Sequence, residues 1–288
     1  MAKTRLSFTF FATFCVVLAA TTLVSAQDTT PKMHLNSGRV LEGTPERAYK
    51  DSVQWALKGS SSASRFFNKD ISHIEFATFP EWNNALTAYR RADFTRAAKL
   101  FESIIANKPS AAFYPAPGNY VSRSQRLLLE CYRMQGKEDA VASTVTALNI
   151  SLLPPNERVL PPAISAWVSI ANQDWAGAHK AAVAAEAAVK NPSEVAEIAF
   201  LRARAARKMG NNKEALRKFT QSSALLIGHD PVIGAGSLKG AAEMLRPIGT
   251  DASRTQLHAV LKEYANVYGG GLLWPGATTD LQEMLQKK

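Results

Sequence analysis

Ala92-Asp93-Phe94-Thr95-Arg96-Ala97-Ala98-Lys99-Leu100-Phe101, continued by Ile104, Ile105 and Pro109, reads as a tight turn entering an amphipathic helix. Ala97, Leu100, Phe101, Ile104 and Ile105 recur three and four residues apart, the period of one buried helical face. Upstream, Pro80 suits a first helical position, and Trp82, Ala85, Leu86 and Tyr89 follow at i, i+3, i+4 and i+7. Ala97 has no bulk beyond Cβ, so the two helix axes can approach closely, while Phe101 fills the space that opens further along. A helix pair of this size cannot bury its apolar faces alone, so copies must stack.

Further copies are present. Leu128, Cys131, Tyr132 and Gln135 mark a helix, Gly136-Lys137 a turn, and Val141, Val145 and Leu148 the return helix. Ile164, Trp167, Val168 and Ala171 precede Gln173-Asp174-Trp175 and an alanine-rich helix with Ala178, Ala182, Ala185 and Val189 on one stripe. Ser193 is the expected N-cap of a fourth pair, with Glu194 and Glu197 near its positive end. Ala196, Ala199, Phe200 and Ala203 lead to the Gly210 turn, and Ala215, Leu216, Phe219 and Leu226 face back. In a fifth unit Gly234, Gly236 and Gly240 are expected to weaken the first helix. Leu257, Val260, Leu261, Tyr264 and Tyr268 make a good second one, stopped by Gly269-Gly270-Gly271. Leu272, Leu273, Trp274 and a short helix over 280–286 are expected to cap the array.

Ala92, Phe94, Ala97, Phe101 and Pro109 occupy the places where the tetratricopeptide family has a small turn residue, an aromatic, a contact alanine, an aromatic and a closing proline. The chain resembles that family here. The residues that follow each turn at 97, 140, 178 and 215 give steps of 43, 38 and 37 residues, against about 34 in the strict repeat. The resemblance implies a mainly α chain over 79–288, a tetratricopeptide-like α-solenoid of about five helical hairpins whose surface holds a peptide or protein.

Residues 33–77 differ in texture. Val53, Trp55 and Leu57 alternate with polar neighbours, as in a half-buried strand. Residues 35–41 read as strand, turn, strand around Gly38, the 59–62 stretch as a second turn, and Phe66, Phe67 and 71–76 as further strands. Leu35, Gly38, Leu41 and Gly43, then Asp51-Ser52-Val53, then Lys69-Asp70-Ile71 with Ile74-Glu75, resemble the small Sm-like or SH3-like modules. That resemblance implies a small N-terminal β-barrel-like unit.

Residues 1–26 have the order of a secretory signal peptide: Lys3 and Arg5, an apolar run from Phe8 to Val24, and Val24-Ser25-Ala26 before Gln27. Cleavage there leaves one cysteine, Cys131, so stability must come from packing and not from disulfides. The net charge of +10 falls to +8 (10 − 2) once Lys3 and Arg5 are removed. Export makes nucleic acid an unexpected partner and directs the positive charge toward acidic ones. A periplasmic or secreted bacterial protein, touching membrane only through its signal, is the expectation.

The five histidines, His34, His73, His179, His229 and His258, are far apart in sequence, and no pair has metal-ligand spacing. No nucleophile elbow, phosphate loop or zinc-protease helix occurs. A non-catalytic scaffold without cofactor or metal, binding a protein or peptide of the cell envelope, is therefore expected. Two features are candidate contact sites. One is the Tyr114 and Tyr120 insertion over 113–120. The other is the basic stretch over 202–218, in which helical spacing groups Arg204, Arg207 and Lys208, with Glu214 its only nearby opposing charge. Together they also fit a second expectation, an envelope polysaccharide or anionic polymer. Replacing Ala97 by Leu should destabilise the chain by about 1–3 kcal/mol through overpacking. Chemical denaturation measures it, and an unchanged midpoint would contradict the proposed pairing.

Overall fold

The computed structural model describes residues 30–107, 113–226, 230 and 232–269. The expected leader, Pro109, His229 and the expected end cap lie outside them.

Five strands come first: β1 (Lys32–Leu35), β2 (Val40–Ala48), β3 (Ser52–Leu57), β4 (Ala63–Phe67) and β5 (Ile71–Glu75). They form one antiparallel sheet in the order β4-β3-β2-β1-β5. The sheet is open, which corrects the expectation of a barrel. Closure would require β4 to pair with β5, and the edge of β5 is already engaged. Ile74 N donates to Pro117 O at 2.7 Å. Gly118, at φ +86°, lies so close that a Cβ there would stand 2.3 Å from Ile74 O. Met33, Val53, Trp55, Ile71 and Ile74 form the sheet's buried face, and Ala116 from the same connector completes it. The proline-rich insertion thus covers both the edge and the face of the sheet.

Ten helices follow among the described residues: α1 (Pro80–Arg90), α2 (Phe94–Asn107), α3 (Tyr120–Met134), α4 (Glu138–Ala147), α5 (Ile164–Ala171), α6 (Trp175–Glu186), α7 (Pro192–Lys208), α8 (Asn212–Leu226), α9 (Ile233–Leu245) and α10 (Asp251–Tyr268). Each packs chiefly on the helix before it and the helix after it. One apolar cluster joins α1, α2 and α3 around Trp82, Ala97, Phe101 and Cys131. A second joins α3 through α9 around Leu129, Trp167, Ala178, Leu201 and Phe219, and a third joins α9 to α10 around Leu238, Leu261 and Tyr264.

The same backbone device closes every pair. Ala92, Gly136, Gln173, Gly210 and Gly249 each adopt a left-handed conformation just after the first helix, with φ of 57, 65, 58, 80 and 71°. In four of these turns the next amide donates back five residues: Asp93 to Ala88, Lys137 to Tyr132, Asp174 to Ser169 and Asn211 to Ala206, at 2.8–3.0 Å. This satisfies carbonyls that the helix end would otherwise leave open. The residue after the left-handed one then caps the second helix in four of the five. Asp93 accepts from Arg96 N, Asp174 from Gly177 N, Asn211 from Glu214 N and Thr250 from Ser253 N. Lys137 is the exception and makes no side-chain cap.

One detail differs from expectation. The N-cap of α7 is Asn191, accepting from Ser193 N at 3.0 Å, with Pro192 as first residue; Ser193 is already helical. The glycines expected to weaken α9 have a packing role in it. Phe200 presses on Gly236, where a Cβ would lie 2.9 Å from its ring, and Phe219 on Gly240, where it would lie 2.5 Å away. The helix propensity lost at these positions is offset by close seating of two rings on bare backbone.

Ala92 and Gln173 occupy a left-handed conformation that costs a residue with Cβ roughly 1–2 kcal/mol. Ala92→Gly and Gln173→Gly should each raise stability by about 0.5–1 kcal/mol, the relieved strain exceeding the added freedom of the unfolded chain. Thermal denaturation measures this, and a fall in melting temperature for both would contradict the turn geometry.

Candidate functional site

The two sequence candidates are placed very differently from one another. Tyr114 is 45 % exposed. Tyr120 is 3 % exposed and opens α3 instead of standing in a loop. Its ring packs against Phe76, Phe79 and Trp82, and its hydroxyl proton is shared between Phe76 O at 3.0 Å and Ala77 O at 2.7 Å. Burial pushes the phenol up to about 12. Tyr120 therefore ties the sheet's exit strand to the helices and offers no ring to a ligand, which corrects its assignment as a presented aromatic.

The basic stretch is not unopposed. Arg204 pairs with Glu138 of α4 and lies over the Phe200 ring; Arg207 pairs with Glu243 of α9; Lys208 lies 5.5 Å from the centre of the Trp175 ring. Arg202 reaches Glu186 at 2.6 Å and Glu214 at 2.5 Å, and Lys218 also pairs with Glu186. Sequence proximity counted one acid. Three further ones, Glu138, Glu186 and Glu243, arrive from other helices. The structure separates Arg204, Arg207 and Lys208 onto three different neighbours, so α7 spends these charges on its own packing.

Arginines also meet between α1 and α3. A groove of about 530 Å³ is lined by Trp82, Leu86, Tyr89 and Arg90 of α1 and by Arg123, Arg126, Leu127, Glu130 and Arg133 of α3, with Asn156, Glu157 and Val159 closing one side. Four guanidiniums and two carboxylates line it, and with Glu197 behind Arg133 the excess is one positive charge. Helical spacing explains the placement, because 123, 126, 130 and 133 fall on one stripe of α3. Arg123 stacks 4.9 Å from the centre of the Trp82 ring and holds Glu157 at 2.7 Å. Glu130 is buried between Arg126, at 2.5 Å, and Arg133, at 2.7 Å. Arg126 Nε is shielded from solvent and has no hydrogen-bond partner. Arg90 is exposed at the rim, with no carboxylate in ion-pair range among the described residues.

Behind the groove lies a second acid. Glu197 of α7 is 3 % exposed, pairs with Arg133 Nη1, and accepts from Trp167 Nε1 of α5 at 2.6 Å. Burial opposes the Arg133 charge, but Glu197 and then Glu130 outweigh it and hold the guanidinium above its ordinary range. Sequence reasoning placed Glu197 at a helix start as a dipole partner and missed this role. Its only sequence signal is an acid flanked by Ala196 and Ile198 on a stripe with Leu201.

Cys131 is fully buried beside Leu128, and burial pushes its thiol up to about 12, leaving it a small apolar group. The histidines are not all scattered: His34 and His73 stack across β1 and β5, with rings 4.2 Å apart, which corrects the reading from sequence separation. Burial, then repulsion from His34, lowers the His73 imidazole below its ordinary value. No protein-family model matches the chain, and none of the curated proteins matches it in sequence.

Glu197→Gln removes the buried partner of Arg133 and should cost about 3 kcal/mol, as breaking an enclosed ion pair does. Glu157→Gln, at the more open end of the groove, should cost about 1 kcal/mol or less. Urea denaturation compares the two, and equal midpoints would contradict the burial of Glu197.

Proposed function

We propose that the protein is an exported, tetratricopeptide-like helical scaffold of the bacterial cell envelope that holds an acidic segment of a protein partner in the groove between α1 and α3. The observation that carries this reading is the groove itself: four arginines and two glutamates line it, beside the half-buried Leu86, Tyr89 and Leu127. Export is supported by the order of residues 1–26. The solenoid reading is supported by the nearest-neighbour packing of the helices and by the five turns that share one backbone conformation.

Binding follows from complementarity and requires no chemical step. Arg123, Arg126 and Arg133 are held by Glu157, Glu130 and Glu197, so a partner finds guanidiniums already oriented, and little side-chain entropy is lost on contact. Arg90 at the rim adds long-range attraction for a carboxylate. The half-buried side chains of Leu86, Tyr89 and Leu127 accept apolar side chains between the acidic ones.

Val159 stands 80 % exposed at the groove's edge. A photo-cross-linking residue placed there should yield one discrete envelope-protein adduct. Arg90→Glu in the same background should reduce that adduct about tenfold, a loss of about 1.4 kcal/mol in partner affinity, while leaving the melting temperature unchanged. The same cross-linker at exposed Val183 on α6 should yield no such adduct. An adduct indifferent to Arg90→Glu, or equally strong from Val183, would remove the groove as the binding surface.

A further inference from the structure

The sheet carries a cluster that the groove does not use. His34 of β1 and His73 of β5 are paired directly across the two strands, so their side chains leave the same face at the shortest cross-strand separation. Glu75 lies two residues beyond His73 and therefore on that face as well. Glu75 Oε1 stands 3.2 Å from His34 Nε2 and 3.8 Å from His73 Nε2. One donor atom from each of the three residues lies within 4.8 Å of the other two. His34 Nε2 is shielded from solvent and makes no hydrogen bond, since Glu75 approaches it outside hydrogen-bond geometry.

We propose that His34, His73 and Glu75 form a zinc site. Donors on a tetrahedral ion with bonds of about 2.0–2.2 Å sit roughly 3.3–3.6 Å apart, and the separations from Glu75 already bracket that range. The stacked imidazoles, inclined by 11°, must splay so that both Nε2 lone pairs meet at one point. Both rings are partly exposed, so the rotation moves side chains at the surface and not in the core. Two imidazoles and one carboxylate suit zinc better than the oxygen-seeking magnesium or calcium. Three protein donors leave one corner of the tetrahedron to water.

The surroundings supply an orienting contact and an electrostatic cost. Ser72 Oγ lies 3.4 Å from His73 Nδ1, the position of a partner that fixes the other ring nitrogen of a metal-bound histidine. Lys32 is the cross-strand partner of Glu75 but leans toward Glu42, at 3.8 Å. Arg158 donates to Ser72 O at 3.1 Å. These two cations reduce the affinity for a dication, so the site belongs to the micromolar range and not to the tightest structural sites.

Isothermal titration of the tag-free, purified protein with zinc chloride tests this. One ion per chain should bind with a dissociation constant on the order of 1–10 μM, and the melting temperature should rise with zinc but not with magnesium. His34→Gln and His73→Gln should each weaken binding about 10–100-fold, and Glu75→Gln about tenfold, by analogy with the loss of metal-site groups. His258→Gln, on α10, should leave it unchanged. Circular dichroism of each variant separates loss of a ligand from loss of the sheet. As a second readout, cobalt titrated into the unaltered protein should give the visible absorption of a four-coordinate ion, absent in the His34→Gln variant. No stoichiometric zinc binding at 100 μM (on the order of ten times the expected constant), or equal loss from His258→Gln, would overturn the proposal.

Discussion

The carboxylate of Glu197 is the constraint on which the helical part depends. It sits on α7, receives the indole N–H of Trp167 from α5 and pairs with Arg133 from α3, so one buried acid joins helices of three successive pairs. A charge in that position is tolerable only when its oxygens are satisfied by donors with fixed geometry. The donors must therefore stay where they are, and three hairpins are held in one relative arrangement. Apolar packing that relies on alanines, of which the cluster joining α3 through α9 holds many, would by itself permit sliding. Small side chains make smooth surfaces, and an enclosed ion pair opposes the slip.

The same lock shapes the groove. Arg133 is shared between Glu197 behind it and Glu130 beside it, and Glu130 in turn holds Arg126. A chain of charge thus runs from the second turn of α7 to the surface between α1 and α3. The guanidiniums at its outer end are oriented by these acids, and the groove's positive excess is left to Arg90 at the rim. The basic stretch of α7 follows the opposite logic. Arg202, Arg204 and Arg207 are matched by acids from α4, α6, α8 and α9, and their work is to hold the stack together.

Much of the architecture was legible in the chain. The period of three and four at Trp82, Ala97 and Phe101, and the turn residues at Ala92, Gly136, Gln173 and Gly210, locate the helices because local spacing and local backbone conformation create them. Strand alternation at Val53, Trp55 and Leu57 is equally local. What escaped depends on residues distant in sequence. Sheet closure fails because a connector about 40 residues further on pairs with Ile74. Tyr120 looked like a displayed aromatic because its partners, Phe76 and Ala77, precede it by 44 and 43 residues. The groove arises from a helix stripe whose facing wall is another helix, and the His34 and His73 pair from strand register. No window along the chain contains either.

A double-mutant cycle between Arg133→Met and Glu197→Gln tests the central claim most directly, because the two residues lie 64 positions apart and are coupled only if the hairpins dock as described. Urea unfolding of the four proteins should give a coupling energy of about 2 kcal/mol or more, well above the roughly 0.5 kcal/mol within which independent sites add. Additive losses would contradict the account, for they would mean that these two side chains do not share one buried pair and that something else holds the hairpins in register.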